Sequence, residues 1–192
     1  MGMSLMGVSG AGFGQGYAYV NVGITSGLPI INGIQIGIPF VATDSKGRAL
    51  TFMGVLYNPT SPPSVVVGPV YWKDNTFTVV TSNIAEAVVA SGPNLIAGIL
   101  LNPNVTTGYY TVIQVGGYFG ASSDALNQNG LLAAPSGGVT AGYVLVPSTT
   151  SQSMAVVAAG TAPTYIPIGI VLTTASASAS FDVLMTMPPR GF

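Results

Sequence analysis

The chain contains no cysteine and no histidine, and it carries very little charge. Without cysteine it has neither disulfides nor thiolate metal sites. Without histidine it lacks the usual general base and the commonest metal ligand, and a Ser-His-Asp or Cys-His triad is excluded. Nine of the 192 side chains are charged: Asp44, Lys46, Arg48, Lys73, Asp74, Glu86, Asp124, Asp182 and Arg190. That is 5%, against about 25% in an ordinary soluble protein. A net charge of −1 leaves no basic surface to capture a phosphate backbone, so nucleic acid is not an expected partner.

Long hydrophobic runs are also missing, although the mean hydropathy is +0.60. The uncharged interval from Ala125 to Phe181 is broken by Pro135, Gly137, Gly138, Pro147, Pro163 and Pro167. No stretch approaches the roughly 20 apolar residues of a spanning helix. The strands read as shorter than the roughly ten residues of an outer-membrane barrel strand, so no membrane partner is expected. The first residues show no basic segment followed by an apolar run, and no signal peptide is expected.

What the chain does have is glycine, small residues and short apolar runs. With 48% hydrophobic residues and almost no charge, much of the outside is expected to lie against other protein. Exposed apolar surface on a near-neutral chain favours association.

The apolar runs repeat. Placing Gly98 on Gly169 aligns the stretch from Ala97 to Gln114 with that from Ile168 to Met185, each reading strand, polar turn, strand. Gly142–Val146 has an earlier echo in Gly68–Trp72, and a fainter third pair is Gly37–Val41 with Met53–Leu56. The body therefore reads as one small β module used about three times. Its sub-modules span 17–64, 65–120 and 131–187 within an all-β domain of 17–187, a β-barrel or jelly-roll-like sandwich. Residues 188–192 form a short tail.

Residues 1–16 carry five glycines between Gly7 and Gly16, interleaved with Met3, Leu5, Met6, Val8 and Phe13. Glycine at this density cannot hold a helix. The apolar side chains set it apart from an ordinary disordered tail and predict an extended arm that orders on a neighbouring subunit. From Tyr17 the pattern alternates, with Tyr17 and Tyr19 on one face and Val20 and Val22 on the other, as in a half-buried strand. Asn83 followed by Glu86 predicts one short helix over 85–89. Asn104-Val105-Thr106 fits a glycosylation sequon but reads here as a turn.

Catalytic chemistry finds little support. Four of the five carboxylates fall in or beside turns, where Asp is expected for structural reasons. A carboxylate pair assembled from Asp74, Glu86 or Asp124 is the one hydrolase constellation the composition permits. No calcium-loop spacing occurs. The chain is expected to be no enzyme and to hold no cofactor or metal. Tyr71 and Trp72, adjacent and beside a charged turn, are either an exposed platform for a sugar or base or one core ring and one interface ring.

The runs Val139–Ser148, Pro167–Ala175 and Phe181–Met185, with Ile96–Leu101 and Tyr110–Val115, resemble apolar motifs of small bacteriophage virion proteins. Over about 65–187 the chain is similar to tailed-bacteriophage capsid decoration (cement) proteins. The resemblance implies a β-barrel or jelly-roll subunit, a homotrimer, and attachment to the major capsid protein at capsomer junctions. It implies a virion localisation, on the outer capsid surface, after synthesis in the host cytoplasm. The expected interface residues are Met3, Leu5, Met6, Val8, Phe13, Tyr17, Tyr19, Tyr71 and Trp72. The alternative is a trimeric head- or tail-fibre protein that touches host glycans through Tyr71, Trp72 and the polar excursion at 121–130.

Overall fold

The structure is a computed structural model and describes residues 3–6, 12–13, 30–31, 34–44, 46–61, 67–88, 96–101, 105–120 and 131–186. Val8, Tyr17, Tyr19 and the alternating run that follows, the excursion at 121–130 and the tail at 188–192 lie outside them. The described residues form strands and turns with no α-helix, as the dense glycine, proline and β-branched pattern requires.

In chain order the strands are β1 (Met3–Met6), β2 (Gly12–Phe13), β3 (Ile30–Ile31), β4 (Ile34–Gln35), β5 (Pro39–Thr43), β6 (Ala49–Tyr57) and β7 (Gly68–Trp72). They continue as β8 (Val79–Thr81), β9 (Ile96–Leu100), β10 (Tyr109–Phe119), β11 (Val144–Pro147), β12 (Met154–Val157), β13 (Gly169–Val171) and β14 (Val183–Met185). Twelve of them form one continuous sheet, and β3 and β4 pair separately. The helix expected over 85–89 is a single 3-10 turn, Ile84–Glu86, opened by the Asn83 side chain accepting from the Ala85 N–H. The Glu86 carboxylate binds the backbone of a neighbouring loop as well as the Asn83 amide of its own turn.

Five strands close on themselves. β6 pairs with β10, β10 with β9, β9 with β7 and β7 with β8, all antiparallel. A parallel contact between β8 and β6, Leu56 opposite Val79 and Tyr57 opposite Val80, completes the ring. Alternation along each strand then sends one side chain in two to the barrel interior. Met53, Val55, Tyr57, Val70, Trp72, Val80, Leu100, Ile113 and Val115 form that inner core, with Ala97 added where a bulge in β9 shifts its pairing with β7. The outward side chains of the same strands are also buried, in a second cluster. Phe52, Ile99 and Val112 there join Leu145, Val171, Val183 and Met185 of the last four strands. Burial on both faces explains why β7 and β9 read as unbroken apolar runs rather than alternating ones.

The last four strands are laid on the barrel as a second sheet, in the order β12-β11-β13-β14, which continues into the end of β10. The barrel strands β8-β7-β9-β10 follow the same order with the same chain connectivity. The repeated runs lie on equivalent strands, with Gly98 and Gly169 in equivalent places, but the other strands are displaced by one residue from the sequence alignment. Val70 lies opposite Gly98 as Leu145, not Val144, lies opposite Gly169, and Gln114 lies opposite Ile99 as Leu184, not Met185, lies opposite Ile170. Both glycines allow a carbonyl of the next strand to come close. A Cβ on Gly98 would sit 2.6 Å from the Gln114 oxygen, and one on Gly169 would sit 2.2 Å from the Leu184 oxygen.

Of the fainter third pair, Gly37–Val41 enters β5 two residues before its start and Met53–Leu56 lies on β6; these two strands form a hairpin without an equivalent of β8. β1 adds to the free edge of β5, with Leu5 opposite Ala42, and β2 adds to β1. Met3, Leu5 and Met6 are therefore backbone-paired to their own chain, and Phe13 sits on β2 opposite Met3.

Gly169→Ala is expected to force β13 from β14 and to destabilise the chain by about 2 kcal/mol or more, in the range of severe packing defects. Gly137→Ala, where a Cβ meets nothing within 4 Å, is expected to change stability by less than about 0.5 kcal/mol. Leu100→Ala, which removes a fully buried barrel side chain, should cost about 2–5 kcal/mol. Urea unfolding followed by the emission of Trp72, the one tryptophan, measures all three.

Candidate functional site

Three features stand out from the barrel framework: two polar knots built by the charged residues, and one apolar strip of surface. The first knot closes an end of the barrel. Glu86 accepts from the backbone N–H groups of Thr60 (2.7 Å) and Ser61 (2.8 Å), and from Lys73 Nζ (2.9 Å), Thr81 Oγ1 (3.2 Å) and Asn83 Nδ2 (3.3 Å). Lys73 also donates to the Asn58 carbonyl and the Thr60 hydroxyl, both at 2.8 Å. Burial alone would raise the Glu86 pKa. The N–H donors of Thr60 and Ser61 and the Lys73 ammonium outweigh it and hold the group at about 2. A carboxylate this firmly ionised is a poor general acid or base near neutral pH. It ties the loop after β6 to the 3-10 turn, and the Ser151 hydroxyl, accepting from the Ile84 N–H, ties that turn to the second sheet.

The second knot sits in the turn between β5 and β6. The buried Asp44 carboxylate accepts from the backbone of Lys46 (3.0 Å) and Arg48 (2.8 Å) and from Arg48 Nε (2.6 Å). Burial opposes ionisation here too, but the Arg48 backbone and guanidinium prevail, and the Asp44 pKa is lowered. The guanidinium then lies 3.9 Å from the centre of the Tyr118 ring.

Of the other carboxylates weighed as hydrolytic, Asp74 accepts from the Thr76 and Thr78 hydroxyls and the backbone of Thr78 and Val79, which shapes the β7–β8 turn. Asp124 is outside the described residues. No three acidic or other metal-ligating side chains cluster among the described residues.

Tyr71 and Trp72 are both buried in the single chain, so neither ring is a platform open to a sugar or base. Trp72 points into the barrel and meets Phe77 edge-on at 5.5 Å. Tyr71, next along the strand, points the other way. Burial pushes its hydroxyl up to about 12, and the Gln152 backbone pulls back more weakly. Strand alternation beside a closed barrel forces this outcome: of two adjacent rings one must go inside, and the outside here is covered. The sequence motif of two aromatics beside a charged turn carried no sign of that cover.

The described residues leave four large apolar side chains exposed, namely Ile38, Ile170, Leu172 and Leu184, each more than two-fifths accessible. Three of them lie on the second sheet, on the face turned away from the barrel. The long uncharged interval was visible in the sequence; which of its residues faced outward was not.

No helix of the described residues is long and apolar enough to cross a membrane. No protein family, no curated protein and no solved structure matches this chain.

Replacing Glu86 with Gln should destabilise the chain by about 1.5–3 kcal/mol at neutral pH, the range of hydrogen bonds to charged groups. Because the folded pKa lies below the ordinary 4.5, the carboxylate's contribution is complete above about pH 5 and is lost as the pH falls toward 2. Urea midpoints of the two proteins should therefore converge over that acid window and stay apart above it.

Proposed function

We propose that the protein is a structural component of a bacteriophage virion that binds the outer capsid surface at capsomer junctions and stabilises the shell. Its partners in this reading are the major capsid protein and further copies of itself, as a homotrimer. The observation that supports it best is the pairing of an almost uncharged chain with an apolar strip left uncovered on a closed, doubly packed β body. Such a surface is suited to permanent burial against protein, since obligate interfaces resemble a core cut in half. The barrel and its covering sheet take the part of the jelly-roll-like body. Residues 1–16, whose Met3–Met6 and Gly12–Phe13 are strand-paired within the chain, take the part of a sheet edge that touches a neighbour rather than an arm that leaves its own subunit.

The chemistry of the described residues is consistent with a role without catalysis. The carboxylates at Asp44, Asp74 and Glu86 are each engaged by backbone donors and serve as turn and loop fasteners. A glycan-binding fibre would need accessible aromatic rings, and the two rings the sequence offered for it are buried.

The test is addition of the purified chain to expanded phage shells stripped of their outer proteins, with bound copies counted by sedimentation and located by cryo-electron microscopy. Occupancy at capsomer junctions is the expected result; no binding to shells of the phage that encodes it would sink the reading. Attachment should be nearly indifferent to salt between low and molar concentration, because screening acts on charges this chain lacks. Removal of residues 1–16 should lower occupancy while leaving the Trp72 emission of the folded barrel unchanged.

A further inference from the structure

Two exposed apolar side chains of the second sheet, Ile170 and Leu184, stand in one cross-strand row with the half-buried Val157, Val144 and Tyr118. Val157 on β12 lies opposite Val144 on β11, Val144 opposite Ile170 on β13, Ile170 opposite Leu184 on β14, and Leu184 opposite Tyr118 on β10. Leu172, two residues beyond Ile170 and just past the end of β13, is a further exposed apolar side chain beside the row. With strands about 4.8 Å apart, a row over five strands is about 19 Å wide.

The barrel carries the equivalent row. Pro69 on β7 lies opposite Ile99 on β9, Ile99 opposite Gln114 on β10, Gln114 opposite Phe52 on β6, and Phe52 opposite Phe40 on β5. Strand by strand, Pro69 matches Val144, Ile99 matches Ile170, Gln114 matches Leu184 and Phe52 matches Tyr118. The barrel's row is covered: Pro69, Ile99, Gln114 and Phe52 are buried. Ile99 and Phe52 share one apolar cluster with Leu145, Val171, Val183 and Met185 of the second sheet. One unit of the duplication thus has this face closed by residues of this same sequence, and the other unit has it open.

We infer that the row Val157–Val144–Ile170–Leu184–Tyr118 is the contact between copies of this chain, packed face to face in a closed homo-oligomer with Ile170, on the middle strand, nearest the symmetry axis. The row's own side chains are uncharged, and the charges at its edge are Arg48, which lies over the Tyr118 ring and is paired with Asp44, and Asp182, two residues before Leu184; the apolar centre calls for a partner's surface of like character. Face to face, a surface meets its own copy about a two-fold axis and is complementary by symmetry, with no second patch required; this pairwise contact is separate from the three-fold contacts of the shell reading. Size agrees as well. A standard interface buries about 800 Å² on each partner, a disc roughly 30 Å across with an apolar centre and a polar rim. A centre about 19 Å wide, rimmed by the exposed and uncharged Thr173, Thr174 and Thr186, fits that plan. The inference concerns the free chain and does not depend on the shell reading.

The test is sedimentation equilibrium of the full chain at micromolar concentration, with wild type, the double variant Ile170→Thr with Leu184→Thr, and Ile38→Thr as an exposed apolar control off the row. Wild type and the control are expected to sediment as the same oligomer, and the double variant to dissociate at least tenfold more readily. A monomeric wild type overturns the inference, as does a double variant that stays assembled. Should the threonine pair fail to fold, judged by Trp72 emission, the native absence of cysteine permits a second probe. A single Ile170→Cys is expected to give an intermolecular disulfide on mild oxidation while Ile38→Cys does not; equal or absent cross-linking overturns the inference. Shell binding is scored separately, so an oligomer that ignores shells counts against the proposed function alone.

Discussion

β10 has to serve two sheets at once, and the rest of the structure follows from how it manages this. Its first part pairs with β6 and β9 inside the barrel wall, and Gly117–Phe119 pair with β14 of the second sheet. Between them the register against β6 slips at Gln114–Gly116. Such a bulge bends a strand and increases its twist. Gly117 accepts the resulting left-handed turn, with φ +87°, where a Cβ would stand 2.6 Å from the Ala49 oxygen. The Gln114 amide then donates to the carbonyls of Gly116 (3.1 Å) and Tyr118 (2.9 Å), on the far side of the bulge. Its own oxygen, buried, finds no partner among the described residues. One buried amide therefore holds the bend that directs the chain from one sheet to the other.

With that bend in place, the two apolar clusters are separated by a single layer of backbone. Side chains one residue apart on β6 and β10 belong to different cores: Phe52 to the outer and Met53 to the inner, Val112 to the outer and Ile113 to the inner. The few charged groups could not be placed in either core without large desolvation costs. Those that the structure describes in knots sit at strand ends, where backbone N–H groups and a neighbouring cation satisfy them. Charge in this molecule fastens turns, and the sheets are held by ladders and apolar contact.

Duplication accounts for the asymmetry of the surface. The first unit recruits β6 to close into a barrel, so its inner face is sealed and its outer face is covered by the second unit. Among the described residues the second unit has no further strand to close it and no third unit to cover it. Its inner face is buried against the barrel, and its outer face keeps side chains of the same apolar type as those buried in the first. An open face of that kind gives physical content to the charge deficit of the chain as a whole.

The sequence alone determined the class of structure and much of its rhythm. Short β-branched runs parted by glycine, proline and asparagine can make only strands and turns, because those residues resist helix and mark chain reversals. The alignment of Gly98 with Gly169 was legible because each glycine answers the same steric demand, a carbonyl pressed against its Cα. The absence of histidine and cysteine excluded whole kinds of chemistry without any fold. Three matters were decided only in three dimensions. The parallel contact of β6 with β8 closes the barrel through residues more than twenty apart in the chain, which no local pattern specifies. The fate of Tyr71 and Trp72 depended on what lay over the barrel wall, and alternation says only that the two must part. The open row on the second sheet matches the buried row on the barrel closely at Ile170 and Ile99 and at Tyr118 and Phe52, and carries Leu184 where the buried row has Gln114. Which of two such faces meets solvent is set by what packs on it, and that is a property of the assembled layers rather than of the residues themselves.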